Sequence, residues 1–195
     1  AIYSLEKVYS IQPSFRAERS KTRRHLTEFW HVEGEMAFAG LDDLMKTVER
    51  LLGEASSEAL ANSEAELRVL GRTYDREMLE PPYPRIKYSE ALSILESKGV
   101  HVEYGSDLGA DEERVLTEGF EKPFFLTHFP KQAKAFYHMP DPHNPSVTLS
   151  ADLLAPKGYG EVVGGGQRIH DYSLLLKRIE EEGLDPADYR WYIDL

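Results

Sequence analysis

The sequence predicts an α+β fold in which an antiparallel β-sheet is flanked by helices. Residues 29–38 and 147–154 alternate apolar and polar side chains with a period of two, which is typical of strands with one buried face. Residues 41–52 instead carry leucine and valine at the spacing of an amphipathic helix. Strands and helices do not alternate regularly along the chain, so the pattern disfavours a parallel βαβ sheet.

The first half of the chain is predicted to contain a strand pair followed by helices. Its elements are a strand at 7–12, a basic loop at 14–25, a strand at 29–38 and helical character from 41 to about 70. Gly53 is expected to interrupt the helical stretch weakly, and Pro81 to end it together with the prolines that follow. Ser89 is expected to cap a further helix that ends near Gly99.

The second half is predicted to supply most of the sheet. Its elements are a short helix at 111–118, strands at 123–129, 135–139, 147–154 and 159–168, and the start of another strand at 191–195. Asp171 has the chemistry of a helix N-cap, and this helix should end at Gly183. Asp185 and Pro186 together predict one more helical turn.

Composition limits the class of protein. The 195 residues are 41 % apolar and 29 % charged, which suits one globular domain. No run of apolar residues is long enough to span a membrane, so no membrane partner is expected. The absence of cysteine excludes a disulfide scaffold and favours a reducing, cytoplasmic setting. The net charge of −11 argues against non-specific coating of nucleic acid, but it leaves room for a local basic patch.

Such a patch follows the first predicted strand. The basic residues are Arg16, Arg19, Lys21, Arg23 and Arg24. Because the planar guanidinium binds phosphate oxygens bidentately, this loop is a candidate clamp for a polyphosphate. A solvated surface loop is the alternative that composition alone leaves open.

One face of the 29–38 strand combines an aromatic ring with two carboxylates. Phe29 is placed to stack on a base, and Glu33 and Glu35 are placed to hold an ammonium group. A solvent-facing edge strand would show the same pattern, so both interpretations stay open at this point.

A second candidate site lies on the last two long strands. If 147–154 pairs with 159–163, Asp152 and Glu161 come close together, and two facing carboxylates suit Mg²⁺. The glycine triplet 164–166 removes side chains beside Arg168, which would let a ligand approach the backbone. The alternative is a β-bulge with flexible glycines. Taken together, the candidate residues suggest ATP chemistry and leave the substrate unnamed.

Several stretches carry a resemblance to a known family. Phe15-Arg16-Ala17-Glu18 and Arg24-His25-Leu26-Thr27-Glu28-Phe29 resemble motif 2 of class II aminoacyl-tRNA synthetases, in the aspartyl/asparaginyl branch. Three further stretches are similar to the asparaginyl members, and they are Phe29–Glu33, Asp152–Arg168 and Trp191–Leu195. The resemblance covers essentially the whole chain. It implies the fold of a class II catalytic core, here incomplete.

The resemblance also implies an ATP site. Arg16 would be the catalytic residue, because it would hold the α-phosphate and stabilise the charge that develops there. Glu18 would accept a hydrogen bond from the adenine amino group, and Phe29 would stack on the ring. Arg24 and His25 would contribute to ATP binding.

For the metal and the amino acid, the implied residues lie later in the chain. Asp152 and Glu161 would hold Mg²⁺ that bridges the phosphates, which also makes Glu161 part of the ATP site. Arg168 would bind the amino-acid side chain. Glu33 would favour an amide over a carboxylate, since it would repel the side chain of aspartate.

The implied activity is asparagine–tRNA ligation, in which asparagine is activated with ATP to an adenylate and transferred to tRNA(Asn). Residues 1–195 would be the central part of the catalytic domain, from just before motif 2 to just before motif 3, with no anticodon-binding domain. The chain by itself is therefore expected to be inactive. The expected partners are asparagine, or aspartate, and the acceptor end of tRNA, in a homodimer of the full-length protein.

Three other functions stay open. An asparagine synthetase related to this family would activate aspartate and use ammonia in the second step. An aspartyl-tRNA synthetase would also activate aspartate. A regulatory relative that kept only the fold would have lost ATP-site residues, whereas the six residues that mark the site here, Arg16, Glu18, Phe29, Asp152, Glu161 and Arg168, are all present.

Overall fold

The computed structural model describes residues 2–17, 26–71 and 76–194. The chain divides into two compact units, one of residues up to Ala39 and one of Gly40–Asp194. No helix in the described part of the chain is both long enough and apolar enough to cross a membrane.

The first unit is built on an antiparallel hairpin. After a short helix α1 (Ile2–Leu5), strand β1 (Lys7–Phe15) pairs with strand β2 (Glu28–Met36). The register places Ser10 opposite Glu33. Both predicted strands are confirmed, although β1 runs beyond residue 12. Much of the predicted basic loop, residues 18–25, lies outside the described residues.

The second unit contains the remaining elements. Its helices are α2 (Leu41–Asn62), α3 (Glu64–Val69), α4 (Arg76–Leu79), α5 (Tyr88–Ser97), α6 (Ala110–Thr117), α7 (Tyr172–Glu181) and α8 (Arg190–Ile193). Its strands are β3 (Arg85–Lys87), β4 (Phe124–Thr127), β5 (Pro140–Asp141), β6 (Asn144–Thr148), β7 (Ser150–Ala155) and β8 (Gly160–Gly166). Short 3₁₀ turns occupy Lys131–Ala133 and Pro186–Tyr189.

The larger sheet has the strand order β3–β4–β7–β8. Strand β3 is parallel to β4, and the other two pairings are antiparallel. The prediction of an α+β fold with an antiparallel sheet flanked by helices is therefore confirmed, and the parallel β3–β4 pair is the one departure from it in this sheet. The predicted strand at 147–154 is divided between β6, which ends at Thr148, and β7, which begins at Ser150. Its predicted pairing with the 159–168 strand is confirmed for β7 and β8.

Both faces of this sheet are buried. One face packs against α5 and α6 in a core formed by Tyr88, Ala91, Leu95, Leu108, Leu116, Phe124, Leu126, Phe129 and Leu154. The other face packs against α2 in a core formed by Leu41, Met45, Tyr83, Phe125, Ala151 and Leu153. Because side chains alternate along a strand, successive residues such as Leu153 and Leu154 enter different cores.

Two helix boundaries differ from the prediction. Helix α2 passes through Gly53 without a break, and a Cβ at Gly53 would lie 3.1 Å from Cδ of Pro81, so this glycine makes room for the proline. Ser89 lies inside α5 and does not cap it. The helix instead starts after Lys87, whose backbone amide donates to the Glu90 carboxylate at 2.6 Å.

The predicted strand at 135–139 is wrong. The chain there turns, and only His138 forms an isolated bridge, to Arg168. Phe136 and Met139 both pack on a third core of Ile169, Leu175 and Ile179. Because these two residues are three apart, they reach the same core from a turn, and a short apolar run of this kind cannot be told from a strand by periodicity alone.

The predicted strand at 191–195 is also wrong, since Arg190–Ile193 is helix α8. Tyr189, Tyr192 and Ile193 pack on the third core, at the three- and four-residue spacing of a helix. The turn before it agrees with the prediction, because Asp185 Oδ1 accepts a hydrogen bond from the Ala187 amide at 2.9 Å. Asp171 likewise caps α7, accepting from the Leu174 amide at 2.7 Å.

Helix α7 is tied to the 3₁₀ turn at Lys131–Ala133 by a charged cluster that should make the protein sensitive to acid. Hydrogen bonds from Lys131 and Arg178, both at 2.9 Å, lower the pKa of Glu181 from 4.5 to about 2. A carboxyl group whose pKa is lower in the folded than in the unfolded protein stabilises the fold at pH values above the unfolded-state pKa. This contribution is lost as the pH falls toward the folded-state pKa. We expect wild type to exceed Glu181→Gln in thermal stability near neutral pH, with the difference shrinking between pH 4.5 and about 2. A constant difference across that range would contradict this origin.

Candidate functional site

The candidate site in the second unit begins with an irregularity in the β7–β8 pair. Asp152 pairs with Gly164, and Leu153 with Val163, but the register then shifts so that Leu154 pairs with Glu161. In unbroken pairing Glu161 would stand opposite Ala155, on the other face of the sheet. Because residues that face each other across a pair point to the same side, this bulge puts Glu161 on the face that carries Asp152.

A glycine leaves the space between the two carboxylates. A Cβ on Gly164 would lie 2.7 Å from Oε1 of Glu161 and 3.5 Å from Oδ1 of Asp152. Both oxygens therefore border the position that a side chain at residue 164 would occupy. Glu161 is an exposed residue, but its carboxylate turns back toward Asp152.

Asp152 is buried, with 5 % of its surface exposed. Its Oδ2 accepts a hydrogen bond from Nζ of Lys134 at 2.6 Å. Its Oδ1 is buried without a hydrogen-bond partner and borders the space above Gly164. A buried carboxylate oxygen is costly unless a donor or a cation binds it, so this atom is suited to a cationic or donor ligand.

Lys134 is a site residue that the sequence interpretation missed. Its ammonium group lies 4.0 Å from the centre of the Phe129 ring while it bonds Asp152. It follows the 3₁₀ turn at Lys131–Ala133, in a stretch with no periodicity to indicate where the side chain points. A lysine beside a run of apolar residues was the only available signal.

The Asp152 and Glu161 carboxylates lie in an environment that favours a nearby positive charge. Burial, and then the nearby charge of Asp152, raises the pKa of the Glu161 carboxyl from 4.5 to about 7. Burial also raises the pKa of Asp152, and the Lys134 ammonium group opposes this increase. Lys134 therefore offsets only part of the negative charge, and a bound cation would offset the rest.

These residues fit Mg²⁺ in part. Asp152 and Glu161 offer carboxylate oxygens, the ligand type that Mg²⁺ prefers, on either side of the space above Gly164. Oδ1 of Asp152 has no hydrogen-bond partner. Within residues 2–17, 26–71 and 76–194, no group of three or more acidic or histidine side chains could enclose a metal ion. Mg²⁺ keeps waters and substrate phosphates as ligands, so a two-carboxylate site suits a cation delivered together with a nucleotide.

Arg168 follows β8 on the same chain segment. Its guanidinium carbon lies 4.3 Å from the centre of the Tyr137 ring, and its backbone bridges to that of His138. Burial lowers the pKa of His138 from 6.5 to about 4, so this ring is neutral near neutral pH. This contact with the ring restricts the movement of the guanidinium, whose planar fork suits bidentate binding of a planar polar group.

In the first unit, one face of the hairpin surrounds the Glu33 carboxylate with polar groups. Ser10 Oγ and Gln12 Nε2 donate to Oε2 of Glu33, at 3.3 and 3.1 Å. Nδ1 of His31 lies 3.7 Å from Oε1. Glu33 is therefore held on the predicted face, with the side chain about half exposed.

Arg16 and Phe29 lie at the loop end of the same hairpin. The guanidinium carbon of Arg16 is 5.2 Å from the centre of the Phe29 ring, and the Arg16 amide donates to the Thr27 carbonyl at 2.9 Å. The two residues proposed for phosphate and adenine are thus neighbours. The candidate residues Glu18, Arg24 and His25 lie outside the described residues.

The fold and the sequence place the chain in one enzyme class. A family model described as tRNA synthetases class II (D, K and N) matches residues 1–195. The chain belongs to this family.

The relatives with high identity are asparagine–tRNA ligases. The enzyme of Pyrococcus furiosus is 55 % identical over 196 residues, which cover 100 % of this chain and 45 % of that protein. The enzyme of Thermoplasma acidophilum is 50 % identical over 197 residues, covering 100 % of this chain and 46 % of that protein. The chain therefore spans a little under half the length of the curated relatives it matches.

Solved structures agree with this relationship. The asparaginyl-tRNA synthetase of Pyrococcus horikoshii, complexed with asparaginyl-adenylate, matches with a TM-score of 0.93 and 55 % identity, covering 100 % of this chain and 45 % of that one. The aspartyl tRNA synthetase of Entamoeba histolytica matches with a TM-score of 0.87 and 32 % identity, covering 99 % and 41 %. Both amino-acid specificities thus occur on this fold.

Proposed function

We propose that the full-length protein containing this chain is an asparagine–tRNA ligase. It activates asparagine with ATP to an adenylate and transfers the asparaginyl group to tRNA(Asn). The observation that carries this proposal is the pair of facing carboxylates above Gly164, with a buried oxygen left unpartnered, in a chain 55 % identical to asparagine–tRNA ligases.

Activation needs little covalent chemistry from the protein. The asparagine carboxylate attacks the α-phosphorus of ATP, the bond to the bridging oxygen breaks, and pyrophosphate leaves. Positioning and charge stabilisation therefore carry the rate. Arg16 is proposed to neutralise charge on the α-phosphate, and Phe29 to stack on adenine.

The carboxylate pair is proposed to hold Mg²⁺. When bound, the cation neutralises phosphate charge and orients the pyrophosphate as a leaving group. Asp152 presents Oδ1 because Lys134 holds Oδ2, and Glu161 presents Oε1 across the space above Gly164. Lys134 and Asp152 would thus be fixed before the substrate arrives.

Amino-acid selection is proposed to involve Arg168 and Glu33. Arg168 binds the polar end of the asparagine side chain, and its stacking on Tyr137 limits its movement. Glu33 disfavours aspartate by repelling a second carboxylate. Its hydrogen bonds from Ser10 and Gln12 keep the carboxylate oriented on this face of the strand.

Replacing Glu33 with glutamine tests this selection. The variant removes the repulsion but keeps the size, so we expect the ratio of asparagine to aspartate use to fall by about 10-fold, as expected for roughly 1.4 kcal/mol. Glu64→Gln is the control, because Glu64 is an exposed carboxylate that pairs with Arg68 on α3, and it should leave the ratio unchanged. An unaltered ratio in Glu33→Gln would remove this residue from amino-acid selection.

The second half-reaction separates the proposal from its alternatives. The purified full-length protein should attach radiolabelled asparagine to tRNA(Asn) in the presence of ATP and Mg²⁺. Ammonia-dependent formation of free asparagine from aspartate would instead identify a synthetase of asparagine. Binding of the tRNA acceptor end, a homodimer and a cytoplasmic location stay predictions.

A further inference from the structure

We propose that Glu113 is a positioning residue that sets the place of the Glu161 carboxylate. Glu113 lies on α6 and does not belong to the facing pair. Its Oε2 accepts a hydrogen bond from the backbone amide of Glu161 at 2.9 Å. This inference rests on the proposed function, because it assigns a residue to the metal site that the function requires.

The bond falls at the register shift that makes the site possible. A β-bulge leaves backbone groups without their regular partners across the strand pair. Glu113 satisfies one of them, at the very residue whose side chain must change face to meet Asp152. The shifted register is thus stabilised from α6, through a side chain that is 9 % exposed.

The placement of Glu113 has an electrostatic cost that asks for an explanation. Its charge contributes to raising the pKa values of both Asp152 and Glu161. A third carboxylate near two others adds repulsion between like charges, so a compensating interaction is needed to hold it there. Its reach to the Glu161 amide supplies that role, because the bulge would otherwise leave a partly buried amide without an acceptor.

Two substitutions separate reach from charge. Glu113→Gln keeps the length and an acceptor oxygen but removes the charge, whereas Glu113→Asp keeps the charge but shortens the side chain. If Glu113 acts by position, Glu113→Asp should weaken cation binding by about 10-fold, the size of effect seen for residues that orient metal ligands. Glu113→Gln should have a much smaller effect.

The measurement is binding of Mn²⁺, a paramagnetic substitute for Mg²⁺, to the full-length protein in the presence of ATP. Electron paramagnetic resonance of the free ion, corrected with a titration of Mn²⁺ into ATP without protein, reports the fraction bound to the protein without requiring turnover. The Mg²⁺ concentration that gives half-maximal activity should rise in parallel in Glu113→Asp, while activity at saturating Mg²⁺ recovers.

Thr117→Val is the matched control. Thr117 is a fully buried residue of the same helix, and its Oγ1 accepts a hydrogen bond at 3.1 Å from the Gly158 amide, in the connection between β7 and β8. The variant removes a hydrogen bond between α6 and the β7–β8 connection, equivalent to the one that Glu113 makes, and it leaves Glu161 unchanged. It should lower the thermal midpoint and leave Mn²⁺ binding unchanged.

Three results would overturn the inference. Wild-type Mn²⁺ affinity in Glu113→Asp would show that reach is unimportant. A larger loss in Glu113→Gln than in Glu113→Asp would assign the effect to charge. An equal loss in Thr117→Val would reduce it to general stability. Failure of the proposed function is distinguishable, because wild type would then show no asparagine-dependent exchange, a result that the comparison of Mn²⁺ affinities between variants does not depend on.

Discussion

Replacing Arg168 with alanine in the full-length protein is expected to lower kcat/KM for asparagine by about 100-fold or more, while the affinity for ATP changes little. The substitution leaves the polar end of the amino-acid side chain without its charged partner, and unpaired groups of this kind are expensive when desolvated. The stacking of Arg168 on Tyr137, at 4.3 Å, makes its geometry rigid, so other side chains are poorly placed to substitute for it.

Steady-state ATP–pyrophosphate exchange at varied asparagine and varied ATP measures both effects. Arg190→Ala is the control, because Arg190 is an arginine of the same unit that pairs with Asp194 on the surface, 82 % exposed. It should behave as wild type. Equal losses for asparagine and ATP in Arg168→Ala would contradict the assigned role.

Replacing Gly164 with alanine is expected to abolish most cation-dependent activity. The new methyl group would stand 2.7 Å from Oε1 of Glu161 and 3.5 Å from Oδ1 of Asp152, which is the space that the two carboxylates border. The Glu161 carboxylate must move away from the new methyl group, whereas Asp152 stays in ordinary van der Waals contact with it. We therefore expect a loss of about 100-fold in exchange at ordinary Mg²⁺ concentrations, at the upper end of effects on metal sites.

The neighbouring glycine provides the control. A Cβ at Gly165 would lie 3.0 Å from Cδ1 of Leu44, on the opposite face of the sheet, where the contact is with the flexible end of a side chain. Gly165→Ala should lower the thermal midpoint of unfolding but leave the Mg²⁺ dependence of the exchange activity unchanged. If both variants lose the same activity at the same Mg²⁺ concentration, the space above Gly164 is not the cation site.

The order of elements and the carboxylate pair were accessible from the sequence because both follow from periodicity. The alternation over 147–154 and the glycine triplet placed Asp152 and Glu161 on neighbouring strands. What periodicity did not give is the register shift that moves Glu161 to the face of Asp152, since a bulge inserts one residue without a distinctive pattern.

Lys134 and Glu113 were not found for a related reason. Lys134 follows a 3₁₀ turn and Glu113 lies on α6, outside the β7–β8 pair, so each reaches the carboxylates only through tertiary packing. The two false strands, at 135–139 and 191–195, have a different origin. Short aromatic runs favour a strand by propensity, but their three- and four-residue spacing is what packs them on the third core.

ATP–pyrophosphate exchange by the full-length protein, with asparagine and aspartate supplied in separate reactions, tests whether the protein activates asparagine. We expect exchange that depends on asparagine and on Mg²⁺, with little or none when aspartate is supplied instead. Exchange with aspartate alone would contradict it and assign the carboxylate pair to an aspartate-activating enzyme of the same family. Absence of exchange with either amino acid would show that the protein activates neither asparagine nor aspartate with ATP.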